Sequence, residues 1–145
     1  MHALDIADQT GPIVVTLIYL ALYYAFQIRQ LQVKTRLGRE YLARGEKFDR
    51  YFSQDREMLA ADRTQLNMLE HMPPFLALFW LNAVFVGPGG ATIAGGLYVA
   101  ARALYPLVLG RRLGRGIRAQ VLISTGTGYA VLAYFMGALV WQLLA

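Results

Sequence analysis

Arg63, Asn67 and Glu70 stand at i, i+4 and i+7 at the entry to an apolar run, and Arg102 and Tyr105 stand at i and i+3 inside another. On a helix each set shares one face. An arginine offers a planar, permanently charged fork suited to carboxylates. Glu70 accepts from an ammonium or amide, and Asn67 both donates and accepts. Together they suit a zwitterionic ligand with several carboxylates and amides. The same inventory allows a second reading, in which Arg63 and Arg102 pair with Glu70 and brace the protein. Buried charges must be paired somehow, so pairing alone does not prove a ligand.

The elements that must carry these groups are apolar helices. Of 145 residues, 57% are hydrophobic, too many for an ordinary soluble domain of this size. They arrive in blocks: Ile13 to Ile28 without a charge, Met72 to Ala101 broken by Gly87-Pro88-Gly89-Gly90, and Ala119 to Ala145 without a charge. A spanning helix needs about 20 apolar residues. The pattern predicts an all-α, four-helix transmembrane bundle with spans at roughly 12–34, 66–87, 90–110 and 118–144 and a loop over 35–62. It leaves almost nothing for a second domain. The first block lacks a basic n-region and a small-residue cleavage site, so it is expected to stay as a helix. Its tyrosines, Tyr19, Tyr23 and Tyr24, suit an interfacial aromatic belt.

The net charge of +5 is topological. Nine of fourteen Lys and Arg lie between Arg29 and Arg63, and four more between Arg111 and Arg118. By the positive-inside rule both basic loops face the cytoplasm and both termini the other side. Nucleic acid is not called for. With zero cysteines, disulfides, thiolate metal sites and a cysteine nucleophile are excluded. His71, with no second His nearby, is a poor metal ligand and is expected to pack against a neighbouring helix. Gly95, Gly96, Gly126, Gly128 and Gly137 are small residues at which helices can approach closely. Gly126-Thr127-Gly128 lacks the Lys-Ser/Thr of a phosphate loop.

The stretch Arg63-Thr64-Gln65-Leu66-Asn67-Met68-Leu69-Glu70-His71-Met72-Pro73-Pro74 resembles the signature of the MAPEG family, the membrane-associated proteins of eicosanoid and glutathione metabolism. That family's second helix carries R-x-x-x-N-x-x-E followed by a proline. The likeness continues through Gly87-Pro88 and Arg102-x-x-Tyr105 to Arg118, and covers most of the chain. It implies a homotrimer that holds glutathione between neighbouring subunits near the cytoplasmic face. Arg63, Asn67, Glu70, Arg102 and Tyr105 would bind the tripeptide, and Lys34 would reach it from the adjacent protomer. Arg118 would stabilise the glutathione thiolate, with Tyr105 the next candidate for that catalytic role. A cation beside a thiol lowers its pKa.

The resemblance also has departures. Leu109 stands where several glutathione-using members have a second tyrosine. Leu66 and Tyr105 differ from the prostaglandin-forming branch, which argues against prostaglandin E synthase chemistry. The expectation is therefore a bacterial-type glutathione transferase or glutathione-dependent peroxidase of the inner membrane. Its second substrate would be a hydrophobic electrophile or lipid hydroperoxide arriving from the bilayer. The alternative is a non-catalytic lipid- or glutathione-binding scaffold of the same family. A small transporter is disfavoured by the lack of inverted repeats.

Overall fold

The computed structural model describes residues 6–114 and 119–145. Among them are four α-helices and no strand: α1 (Thr10–Ala43), α2 (Arg56–Phe85), α3 (Pro88–Leu109) and α4 (Ala119–Leu144). α1, α3 and α4 are each long and apolar enough to cross a membrane. α2 falls outside that set; its charged residues all lie in its first half, Arg56 to Glu70, and His71, Pro73, Pro74 and Asn82 interrupt the apolar second half.

Local chemistry sets the helix ends. α1 runs on past its apolar part and stops at Gly45, whose φ of 72° is a left-handed conformation that glycine adopts without a Cβ penalty. α2 starts at Asp55, whose side chain accepts from the backbone N–H of Glu57 and Met58. Burial raises the Asp55 carboxyl's pKa. The two N–H donors and the Tyr41 hydroxyl outweigh it and hold the pKa below its usual value. Pro88 sits at the start of α3, where its missing N–H costs nothing.

α2 and α3 form the centre of the bundle. α1 packs on both, α4 packs on both, and α1 and α4 do not touch among the described residues. The core between them is an aromatic ladder. Phe75 stacks on Tyr98 with centroids 4.1 Å apart and on Phe79 at 5.4 Å, and Phe79 meets Phe135 at 6.1 Å. Tyr19 joins it at 4.9 Å from Phe75 and donates its hydroxyl to the Met68 carbonyl at 3.0 Å. The aromatic-belt expectation fails for Tyr19, which is fully buried. Its register on α1 aims it at α2, while Tyr24 faces outward. Polar ties close the α4 side: Asn82 donates to the Phe135 carbonyl at 3.0 Å, and Ser124 to that of Ala101 at 2.5 Å. Such bonds hold helices together where lipid supplies no hydrophobic drive.

The basic end is braced by ion pairs. The buried Glu57 accepts from Arg36 of α1 and, at 2.8 Å, from Arg111 just past α3. Arg56 donates to the Leu113 carbonyl at 2.6 Å and its own carbonyl accepts from Leu113 N–H at 2.9 Å. The start of α2 therefore grips the segment that leaves α3.

Candidate functional site

A cavity of about 330 Å³ opens beside α2 at this braced end. Arg63, Asn67, Glu70 and His71 line it from α2, and Tyr105 and Leu109 from α3. Leu113 and Gly114 form its rim, and Val121, Leu122, Thr125 and Tyr129 of α4 close the far wall. The volume is at the lower end of small-molecule sites, roughly 300–1,000 Å³. One wall is polar, with Arg63 and Glu70 as its charged groups, and the other apolar, so the cavity can hold a charged ligand against a hydrophobic surface.

The helical spacing works as the residue types require. Arg63, Asn67 and Glu70 do share a face, and that face is the cavity wall. Arg63 and Glu70 are exposed, Asn67 and Tyr105 are buried. Arg63, Glu70 and the Tyr105 hydroxyl make no hydrogen bond or ion pair with any described residue. Their polar ends are left for something else. Pro73 and Pro74 also cannot donate to the carbonyls four residues back, those of Leu69 and Glu70.

Arg102 takes a different place from its companions. It is 1% exposed, lies behind the wall rather than on it, and is held entirely by neutral groups. Nη1 donates to Asn67 Oδ1 at 2.6 Å, Nη2 to His71 Nδ1 at 3.1 Å, and the guanidinium lies 4.9 Å from the centroid of the Tyr98 ring. The pairing of Arg63 and Arg102 with Glu70, the second reading of the sequence, is not formed among the described residues. Gly128 of α4 makes the room: a Cβ there would lie 2.4 Å from Arg102 Nη2.

His71 does not simply pack. It touches Tyr129 edge-on at 5.1 Å, bonds to Arg102 and lines the cavity. The signal was present in the spacing, since His71 is four residues from Asn67 and so shares its face. Thr125 and Tyr129 carried no such signal, because only the packing of α4 on α2 brings them in. Lys34 stands apart from the cavity in its own chain. It pairs with Asp62 at 2.9 Å, and Gln30 donates to the same carboxylate at 2.7 Å. Arg118 lies outside the described residues. Among those residues no cluster of His, Asp and Glu could hold a metal.

Long apolar helices of spanning length, packed around a cavity with one polar wall, define an integral membrane protein. The chain belongs to the MAPEG family: the family model matches residues 12–141. No individual curated protein matches the chain. The family includes glutathione transferases and peroxidases along with other members, and its members generally use glutathione.

Proposed function

We propose that this protein is a membrane glutathione transferase or glutathione-dependent peroxidase, acting on hydrophobic electrophiles or lipid hydroperoxides. The observation that carries the reading is Arg102, a fully buried cation with no carboxylate partner, one layer behind a cavity whose Arg63, Glu70 and Tyr105 are unpaired among the described residues. An uncompensated buried charge costs several kcal/mol, and an anionic ligand in the cavity lowers that cost. Glutathione supplies two carboxylates, for Arg63 and for the part of the wall that Arg102 backs, and an ammonium for Glu70. The apolar α4 wall suits the second substrate.

In this reading α2 is the fourth spanning helix, the protein is a homotrimer, and Lys34 exchanges its Asp62 partner for glutathione held by the adjacent protomer. Both termini lie on the non-cytoplasmic side of a bacterial inner membrane. Arg118 acts on the sulfur, because a fixed cation favours the thiolate and so supplies a nucleophile at neutral pH. Tyr105, with its free hydroxyl, is the second candidate.

Turnover of Arg118→Leu tests the chemistry. Loss of an interaction made with the reacting group lowers the rate more than ground-state binding. With an activated aryl halide and a lipid hydroperoxide as substrates, turnover should fall by roughly tenfold or more at nearly unchanged glutathione affinity. Full activity in Arg118→Leu would move thiol activation to Tyr105. Absence of both activities in the unsubstituted protein would favour the non-catalytic scaffold.

A further inference from the structure

Arg102 reaches the cavity only through two side chains that could each face either way. Asparagine offers an acceptor oxygen and a donor nitrogen, and neutral histidine one of each on its two ring nitrogens. Which end meets the ligand is decided by what holds the other end. A guanidinium only donates. Asn67 must therefore present Oδ1 to Arg102, which leaves its Nδ2 hydrogens for the cavity, where no described residue accepts them. His71 must accept at Nδ1, so its proton sits on Nε2, again without a protein partner among the described residues.

We infer that Arg102 is a positioning residue that converts Asn67 and His71 into a pair of donors facing the cavity, which makes this part of the wall selective for a carboxylate. The two side chains are one turn apart on α2, and both line the cavity. A carboxylate has two oxygens and satisfies both donors at once, with the Arg102 charge directly behind them. A neutral ester or amide carbonyl offers one oxygen without a formal charge, so it bonds the pair more weakly and gains much less from the charge behind them. Gly128 is part of the device, because the guanidinium occupies the space its missing Cβ leaves. The assignment of the ligand group rests on glutathione binding; the orientation of the two side chains does not.

The test begins without ligand. The chain has two histidines, so nitrogen-15 histidine NMR of the full-length protein, with His2→Gln to assign the signals, reads the His71 tautomer directly. The expected spectrum at neutral pH shows a bare Nδ1 and a protonated Nε2. A protonated Nδ1, alone or in an imidazolium, overturns the proposal whether or not glutathione binds. Arg102→Met should then mix the two tautomers; a spectrum unchanged in this variant also overturns it.

The second arm compares glutathione with its diethyl ester. The unsubstituted protein should prefer the free acid, and Arg102→Met should lose roughly tenfold of that preference, the scale of one charge-assisted hydrogen bond. A preference unchanged in Arg102→Met removes the carboxylate selectivity. Failure of both ligands to bind the unsubstituted protein refutes the glutathione reading above, and the tautomer alone then decides the role of Arg102.

Discussion

Gly128→Ala tests the arrangement behind the cavity without touching a polar residue. The new Cβ would lie 2.4 Å from Arg102 Nη2 and 3.1 Å from Cζ, so the guanidinium must retreat by about 1 Å to reach ordinary contact. The group has little freedom to do so, being tied to Asn67 at 2.6 Å and His71 at 3.1 Å. Nη2, the atom that meets the new Cβ, is also the one bonded to His71, so a shift of that size along the bond would take the contact past hydrogen-bond range. The lost charged hydrogen bond is worth about 1.5–3 kcal/mol, and overpacking a filled core costs about 1–3 kcal/mol. The two overlap, because relieving the clash is what breaks the bond. A net loss of about 2 kcal/mol is expected, seen as a lower midpoint in thermal unfolding of the purified protein. Glutathione affinity should weaken roughly tenfold by calorimetry, as the donors lose their support. Gly126→Ala is the control, since a Cβ there meets nothing within 4 Å; it should be neutral or slightly stabilising in a helix. Gly128→Ala with unchanged stability and affinity would refute the claim that Arg102 is fixed behind the wall.

Other consequences are as direct. Glu70→Gln and Arg63→Ala should each weaken glutathione binding by about 1–3 kcal/mol through loss of charge-assisted bonds. Loss of stability with affinity intact would make these residues structural. Glu57→Gln weakens the link from Arg36 and Arg111 and should destabilise by about 1–2 kcal/mol, a figure kept low because both arginines are partly exposed. Asp55→Ala should cost about 1 kcal/mol for the lost cap, and Asp55→Asn much less at neutral pH. The Asp55 carboxyl's pKa is depressed in the folded state, so its stabilisation is present above the unfolded value of about 3.9 and is lost as pH falls through the folded one. Asp55→Asn should therefore flatten part of the acid limb of a stability profile. For topology, single cysteines placed at Ala145 and Gly45 should label from outside the cell and only after permeabilisation, respectively; the reverse would overturn the orientation.

Much of the fold was legible because charge-free runs and glycine-proline breaks are physical boundaries. The 13–28 run lies within α1, Gly45 ends it, and Gly87-Pro88 separates α2 from α3. The α2 face of the site was legible for the same reason, since helical spacing alone puts Arg63, Asn67 and Glu70 together. Depth was not legible. Spacing placed Arg102 and Tyr105 on one face of α3, but only packing shows that Tyr105 meets the cavity while Arg102 is sealed behind Asn67 and His71. Tyr19 failed likewise, because a tyrosine in an apolar helix reads the same whether it faces headgroups or a neighbouring helix. Of the small residues in α4, Gly128 admits a close approach while Gly126 and Gly137 face open space, a difference set by which residue stands opposite.

On the proposed function, the cavity under Arg63, Asn67, Glu70, His71 and Tyr105 holds glutathione as its thiolate. The most direct measurement is a titration of the purified, detergent-solubilised protein with glutathione, followed by ultraviolet thiolate absorbance at neutral pH. The expected result is a saturable rise in absorbance that Glu70→Gln shifts to higher glutathione concentration. A flat trace, with no heat of binding in a parallel calorimetric titration, would contradict it.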